Sequence, residues 1–181
     1  MIPLAMLVLF VAAAGLVLFQ PWRLFTDVSV DEALPAAPSA TSAMPVDDPA
    51  ASAVSVPLAT SAPVPLVLAT GSFISHEHGT SGRARVLELA DGSRVLRLDG
   101  LDTSNGPDLK VWLSDAPVLD GPDGWFVFDD GAYVDLGSLK GNKGNQNYPI
   151  PADVDLSALS SVTIWCDRFS VSFGAADLTP V

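Results

Sequence analysis

Leu136-Gly-Ser-Leu-Lys-Gly-Asn-Lys-Gly-Asn-Gln-Asn-Tyr-Pro-Ile-Pro151 and, after a short linker, Val162-Thr-Ile-Trp-Cys-Asp-Arg-Phe-Ser-Val-Ser-Phe-Gly174 form the stretch that decides the fold. The first half is dense in Gly and Asn, which tolerate positive φ, and reads as a loop over Lys140–Asn147. The second half reads as two strands. Phe169, Val171 and Phe173 alternate with Ser170 and Ser172, the period of a half-buried strand.

Upstream, the same signals recur. Gly71–His76 reads as a short strand. Gly82–Ala90 and Ser93–Asp99 flank Asp91-Gly92, a strong hairpin signal, with Leu87 and Leu89 on one face and Leu96 and Leu98 on another. Asp108–Ser114 places Leu109, Val111 and Leu113 on one face and Trp112 on the other. Trp125–Phe128 and Ala132–Leu136 are further strand candidates, and at most Asp155–Leu159 forms a helical turn. Many short strands and no amphipathic helix predict an all-β domain over 69–181, a small β-sandwich or partly closed barrel.

Outside that domain the composition changes twice. Ile2–Phe19 is apolar and uncharged; as a helix it would span about 27 Å, close to a bilayer's hydrocarbon core. Residues 1–23 are expected to be an uncleaved transmembrane anchor that meets the lipid bilayer through residues 2–19; the competing reading is a cleavable signal peptide, whose usual basic n-region does not precede this run. Residues 24–68 are rich in Pro, Ala and Ser, with no aromatic side chain between Phe25 and Phe73, and are expected to be a disordered linker. Arg23, read alone, would keep the C-terminal side cytoplasmic, but the linker is typical of surface tethers, so a single-pass protein with an extracytoplasmic C-terminal domain is expected.

The net charge of −12 argues against nucleic acid as a partner. One cysteine excludes an intrachain disulfide and a four-thiolate cluster, and Cys-x-x-Cys-His is absent. Phosphate-loop, dinucleotide, nucleophile-elbow and His-Glu-x-x-His motifs are absent too, so the chain does not read as a stand-alone enzyme.

The candidate chemistry is therefore sparse. Cys166 has two readings: a buried small hydrophobe, or a thiol activated by Arg168 two residues away. His76 and His78 flank Glu77; sharing a strand face they could join Cys166 in a copper-like His₂Cys set, without the usual axial Met, while the following Gly79–Gly82 favours a turn. Haem ligation by a histidine is a weaker reading. The Gly/Asn stretch either presents Lys140, Lys143, Asn145 and Gln146 to a ligand or ties its own backbone over Tyr148. Asp115, Asp120, Asp123, Asp129 and Asp130 read as a solvated acidic loop lacking EF-hand spacing.

The motifs around Leu136–Pro151, Val162–Phe169 and Phe173–Leu178, with Gly71-Ser-Phe, His78, Gly82 and Asn105–Leu113, resemble the DM-thirteen domain of Skeletor-type proteins over about residues 71–178. The resemblance implies a β-sandwich-like module with an electron-transfer role and a redox-active cysteine, matched by Cys166. No DOMON-like or cytochrome-like segment accompanies it, so a redox partner would be a separate protein. The alternative is a non-enzymatic binding module at the cell surface.

Overall fold

In the computed structural model, residues 4–20, 26–35 and 64–181 are described. Helix α1 spans Leu4–Phe19. Eleven strands follow: β1 (Ser29–Asp31), β2 (Leu66–Ser72), β3 (Ile74–Ser75), β4 (Ser81–Glu88), β5 (Arg94–Asp102), β6 (Leu109–Ser114), β7 (Tyr133–Ser138), β8 (Lys143–Ile150), β9 (Ser161–Cys166), β10 (Val171–Asp177) and β11 (Thr179–Pro180).

The strands form two sheets rather than a closed barrel. One runs β1-β8-β5-β4-β2-β11, the other β3-β10-β9-β6-β7. All pairings are antiparallel except β1 with β8. Alternation decides what lies between the sheets. Ala84, Val86, Leu96, Leu98, Tyr148 and Ile150 come from the first sheet; Leu109, Val111, Leu113, Val162, Ile164 and Cys166 come from the second. The second sheet has apolar residues on its outer face as well. Trp112, Trp165 and Ala175 pack there under Ala116 and Phe128 of the 115–132 connection. Covering both faces explains why all six residues of β9 are buried.

Several sequence expectations need correction. The Gly/Asn run is a loop only as far as Asn142, and β8 starts at Lys143. Gly and Asn are poor strand formers, but here the backbone pairs on both sides and the side chains bond to neighbours. Trp125–Phe128 is no strand; it follows a 3-10 turn at Pro122–Gly124, and Phe128 turns inward to roof the outer cluster. On β4 the inner-core face carries Ala84 and Val86, opposite Leu98 and Leu96, while Leu87 is buried on the other face and Leu89 lies beyond the strand. Strand β10 begins at Val171, not at Phe169, which is left exposed in the preceding turn.

The N-terminal part also differs. Helix α1 has 16 residues, roughly 24 Å of rise against about 30 Å of hydrocarbon. Among the described residues, no helix is long and apolar enough to cross a membrane. Within the expected linker, Ser29–Asp31 is not loose chain but the edge strand β1, paired with Lys143–Asn145. Residues 36–63 of that linker lie outside the described residues.

Candidate functional site

Cys166 ends β9 opposite Leu109 of β6 and Val171 of β10. Its side chain faces the inner core and is fully buried. Burial pushes its thiol up, and nearby backbone groups of Phe169, Arg168 and Asp108 oppose this only in part. Arg168 lies exposed in the turn. A thiol in this setting stays protonated at neutral pH, without the accessible thiolate that disulfide exchange requires.

The two histidines lie just beyond β3 and part company. His76 is buried, its Nδ1 2.8 Å from Ser172 Oγ, which in turn lies 2.7 Å from Thr163 Oγ1. Its Nε2 is buried without a hydrogen-bond partner, although the Leu119 carbonyl lies near enough to favour the protonated ring. Burial wins, and the His76 pKa is lowered. His78 pairs with Glu77 at 2.6 Å and lies against Phe173, ring centres 3.9 Å apart.

His76 thus belongs to the outer side of the second sheet with Phe128, whereas Cys166 faces inward. His76 and Cys166 lie on opposite faces of the second sheet, so the His₂Cys grouping does not assemble. Among the described residues no three His, Cys, Asp or Glu side chains are placed to hold a metal ion.

The outer cluster holds what the sequence reading missed. Tyr133 and Trp112 stack with ring centres 4.1 Å apart at 9°, and Trp112 stacks on Trp165 at 5.1 Å. Phe128 meets Trp165 edge-on at 6.4 Å and His76 at 5.8 Å. The chain of rings runs from half-exposed Tyr133 on β7 to buried His76. Trp112 Nε1 is buried without an acceptor. The available signal was the placement of Trp112 opposite Leu109, Val111 and Leu113, combined with Trp165 one residue out of phase with Ile164 and Cys166.

The polar residues of the Gly/Asn run have partners of their own. Gln146 Nε2 donates to the Gly141 carbonyl, and Tyr148 Oη donates to Gln146 Oε1 while accepting the Lys140 amide. That tie over buried Tyr148 matches one of the two sequence readings. The rest reaches across to residues 27–33. Lys140 Nζ bonds Glu32 at 2.7 Å, Lys143 Nζ lies 3.2 Å from Asp27, and Asn145 Nδ2 donates to Asp31 at 2.6 Å. Asp27, Asp31 and Glu32 carried no role in the sequence reading, because nothing local marks a three-residue strand whose partner lies more than a hundred residues away.

No curated protein and no solved structure matches the chain. A family model described as electron transfer DM13 matches residues 72–178, from the end of β2 to Leu178. That range covers more than half of the 181 residues and contains both sheets' central strands, Cys166 and the stacked rings, so the chain belongs to the electron-transfer DM13 family.

Proposed function

We propose that this chain is an electron-transfer module whose redox-active part is the β9 region, with the stacked rings Tyr133, Trp112 and Trp165 as the path and Cys166 as the inward-facing second candidate. Family membership carries the reading. The stack supports it, since indole and phenol rings are the side chains beside the thiol that can lose one electron reversibly. An external one-electron acceptor takes an electron from a stacked indole, and a one-electron donor on a separate protein returns it. On the indoles no bond is made or broken; oxidation of Tyr133 to a tyrosyl radical releases its phenol proton to water at the exposed edge, and reduction takes a proton back. Buried Trp112 Nε1 has no acceptor for its proton, so the oxidised ring keeps it and returns unchanged. Tyr133, half-exposed, is where a partner meets the path.

Photochemical oxidation of the purified full chain by a quenched ruthenium polypyridyl tests this. An indole or tyrosyl radical is expected by transient absorption, reduced several-fold in Trp112→Phe and Trp165→Phe. Cys166→Ala separates the two candidates: an unchanged yield assigns transfer to the rings, and a lost yield assigns it to the thiol. Wild-type protein that yields neither ring nor thiyl radical overturns the reading.

The module is further proposed to be tethered to a membrane through residues 2–19, with the β domain on the extracytoplasmic side. The uncharged run in the sequence supports this, as do the exposed apolar side chains of Met6 to Val11 on α1, which need a cover other than water. The shortfall in helix length has to be met by flanking residues or a thinned bilayer. Carbonate-resistant recovery of the full chain with membranes is the expected result. Complete release by carbonate would overturn the tether.

A further inference from the structure

The edge of β8 is shaped to receive another strand. Without β1 it would be the open edge of the first sheet, with unpaired backbone groups. Two glycines line it. A Cβ at Gly141 would overlap the Val28 carbonyl oxygen, and one at Gly144 the Val30 carbonyl oxygen. Both positions therefore admit a foreign backbone only because they lack side chains. Side chains then grip what lies there. Asn142 receives the Val28 amide at 2.7 Å and donates to Asp27 at 2.8 Å. Arg97 Nη1 donates to the Glu32 and Ala33 carbonyls at 3.1 and 3.2 Å.

Charge matches as well. The chain has nine Lys and Arg against 21 Asp and Glu, yet Lys140, Lys143 and Arg97 converge on this edge. The segment they hold carries Asp27, Asp31 and Glu32 and no cation. Apart from the buried grips of Asn142 and Arg97, its contacts are backbone pairs and exposed ion pairs, which water and salt can replace. The matched family range starts at residue 72, so the acceptor edge belongs to the module while the docked segment does not. A pocket of about 180 Å³ beside Val28, lined also by Asn105, Asp108 and Ser138, continues the groove past the segment's start.

We propose that the β8 edge is a strand-acceptor site for an extended acidic peptide, closed in cis by Asp27–Ala33 and opened when a competing acidic segment of a partner protein displaces it. Addition of a strand to a sheet edge takes affinity from main-chain bonds and selectivity from alternate side chains. Here the glycines select for close backbone approach and the cations for Asp and Glu. The site is independent of the electron-transfer reading and stands whether or not that reading fails.

The test uses the full chain in detergent and a labelled peptide of residues 26–34, Thr-Asp-Val-Ser-Val-Asp-Glu-Ala-Leu. Removing charge from the cis segment with Asp27→Asn, Asp31→Asn and Glu32→Gln together should raise peptide affinity at least tenfold over wild type at low salt. Adding Gly141→Ala to that variant should abolish binding while the circular dichroism is kept. No saturable binding by a folded triple variant, or binding that survives Gly141→Ala, overturns the proposal. Hydrogen exchange on the wild-type chain is a second readout that needs no variant. The amides of Val28 and Glu32 should exchange through a local opening accelerated by salt, far faster than those of β9. Exchange of both only together with β9 makes the segment a permanent strand and also overturns the proposal.

Discussion

β8 and β9 lie 10 residues apart in the chain and solve the same problem in opposite ways. β9 is buried on both faces, inward against Leu109, Val111 and Val171 and outward in the cluster of Trp112 and Phe128. β8 buries only alternate residues, including Gln146, Tyr148 and Ile150, and meets its outer neighbour with polar side chains. Stability in the first comes from excluded water, and in the second from paired polar groups that have aqueous alternatives. The difference teaches where the module can change. An element covered by packing opens only when the domain unfolds, while an edge held by hydrogen bonds and exposed ions opens locally.

The largest effect should come from breaking β9. Trp165 is almost fully buried and stacks on Trp112, with Phe128 edge-on above it. Trp165→Ala is expected to cost about 3–5 kcal/mol in denaturant unfolding, by lost burial and an incompletely collapsed cavity. A cost below ~1 kcal/mol would show that the outer cluster is not a core.

Next in size is the ion cluster behind β8. Asp99 accepts from Arg85 Nε at 2.6 Å and from Arg97 Nε at 2.7 Å, and Arg97 is itself buried. Burial pushes Asp99 up, but the two guanidiniums outweigh it and hold the carboxyl below its ordinary range. Asp99→Asn should cost about 1.5–3 kcal/mol, since it weakens charge-assisted bonds and leaves Arg97 short of a counter-ion. It should also loosen residues 32–33, whose carbonyls Arg97 holds. Thermal melts and exchange at Glu32 check the two parts.

Most of the β9 side of this comparison was legible in the sequence, and most of the β8 side was not. Alternation marks β6 and β10, and Asp91-Gly92 marks the β4–β5 turn, where Gly92 takes a φ of 79° and Ser93 bonds back to Asp91. Such signals are local. Which face of β4 meets the inner core was not legible, because Leu87 is buried too, opposite Val95, on the side away from it. Apolarity alone cannot rank two buried faces. β8 escaped because Gly and Asn speak against a strand unless the partner backbone is known, and that partner, β1, has no apolar pattern of its own. As for the site, Cys166 was visible as a residue, but its burial and its separation from His76 depend on which face of β9 it takes. The ring stack needed the pairing of β6 with both β7 and β9.

Acid should act on the β8 edge before β9. Hydrogen bonds from Asn142 and then Lys143 hold Asp27 below the usual carboxylate range; for Glu32, the bond from Lys140 does so first, aided by the Asn147 amide, against a little burial. Facing them are Lys140, Lys143, Arg97 and Asp102, and Asp31 lies alongside. For a depressed carboxyl, the contribution is complete above the unfolded pKa of about 4 and is lost as pH falls through the folded value. Docking of residues 27–33 should therefore weaken below about pH 4. His76, in the outer cluster, lowers the global unfolding free energy from higher pH, since its lowered pKa favours the fold above about 6.5 and less below it, but it opens neither strand locally. Exchange at Val28 and Glu32 that rises below pH 4 with β9 still protected would confirm the order. Simultaneous loss would remove the contrast.

The smallest effect sharpens the comparison from the β9 side. The turn from β9 to β10 places Ser170 at a φ of 48°, in the left-handed region where a Cβ crowds the following carbonyl. The turn is otherwise regular, with the Phe169 amide donating to the Cys166 carbonyl at 3.2 Å. Ser170 is exposed, so no burial is lost with its side chain. Ser170→Gly removes the crowding but adds chain entropy to the unfolded state, two opposed terms of about 1 kcal/mol each. A net gain below ~1 kcal/mol is expected in denaturant melts, with no change in exchange at Glu32. Because β9 opens only with the whole domain, strain relieved at its end must appear in the global transition. If Ser170→Gly slowed exchange at the β8 edge instead, the two strands would share one opening unit, and the division between packed and polar strands would fail.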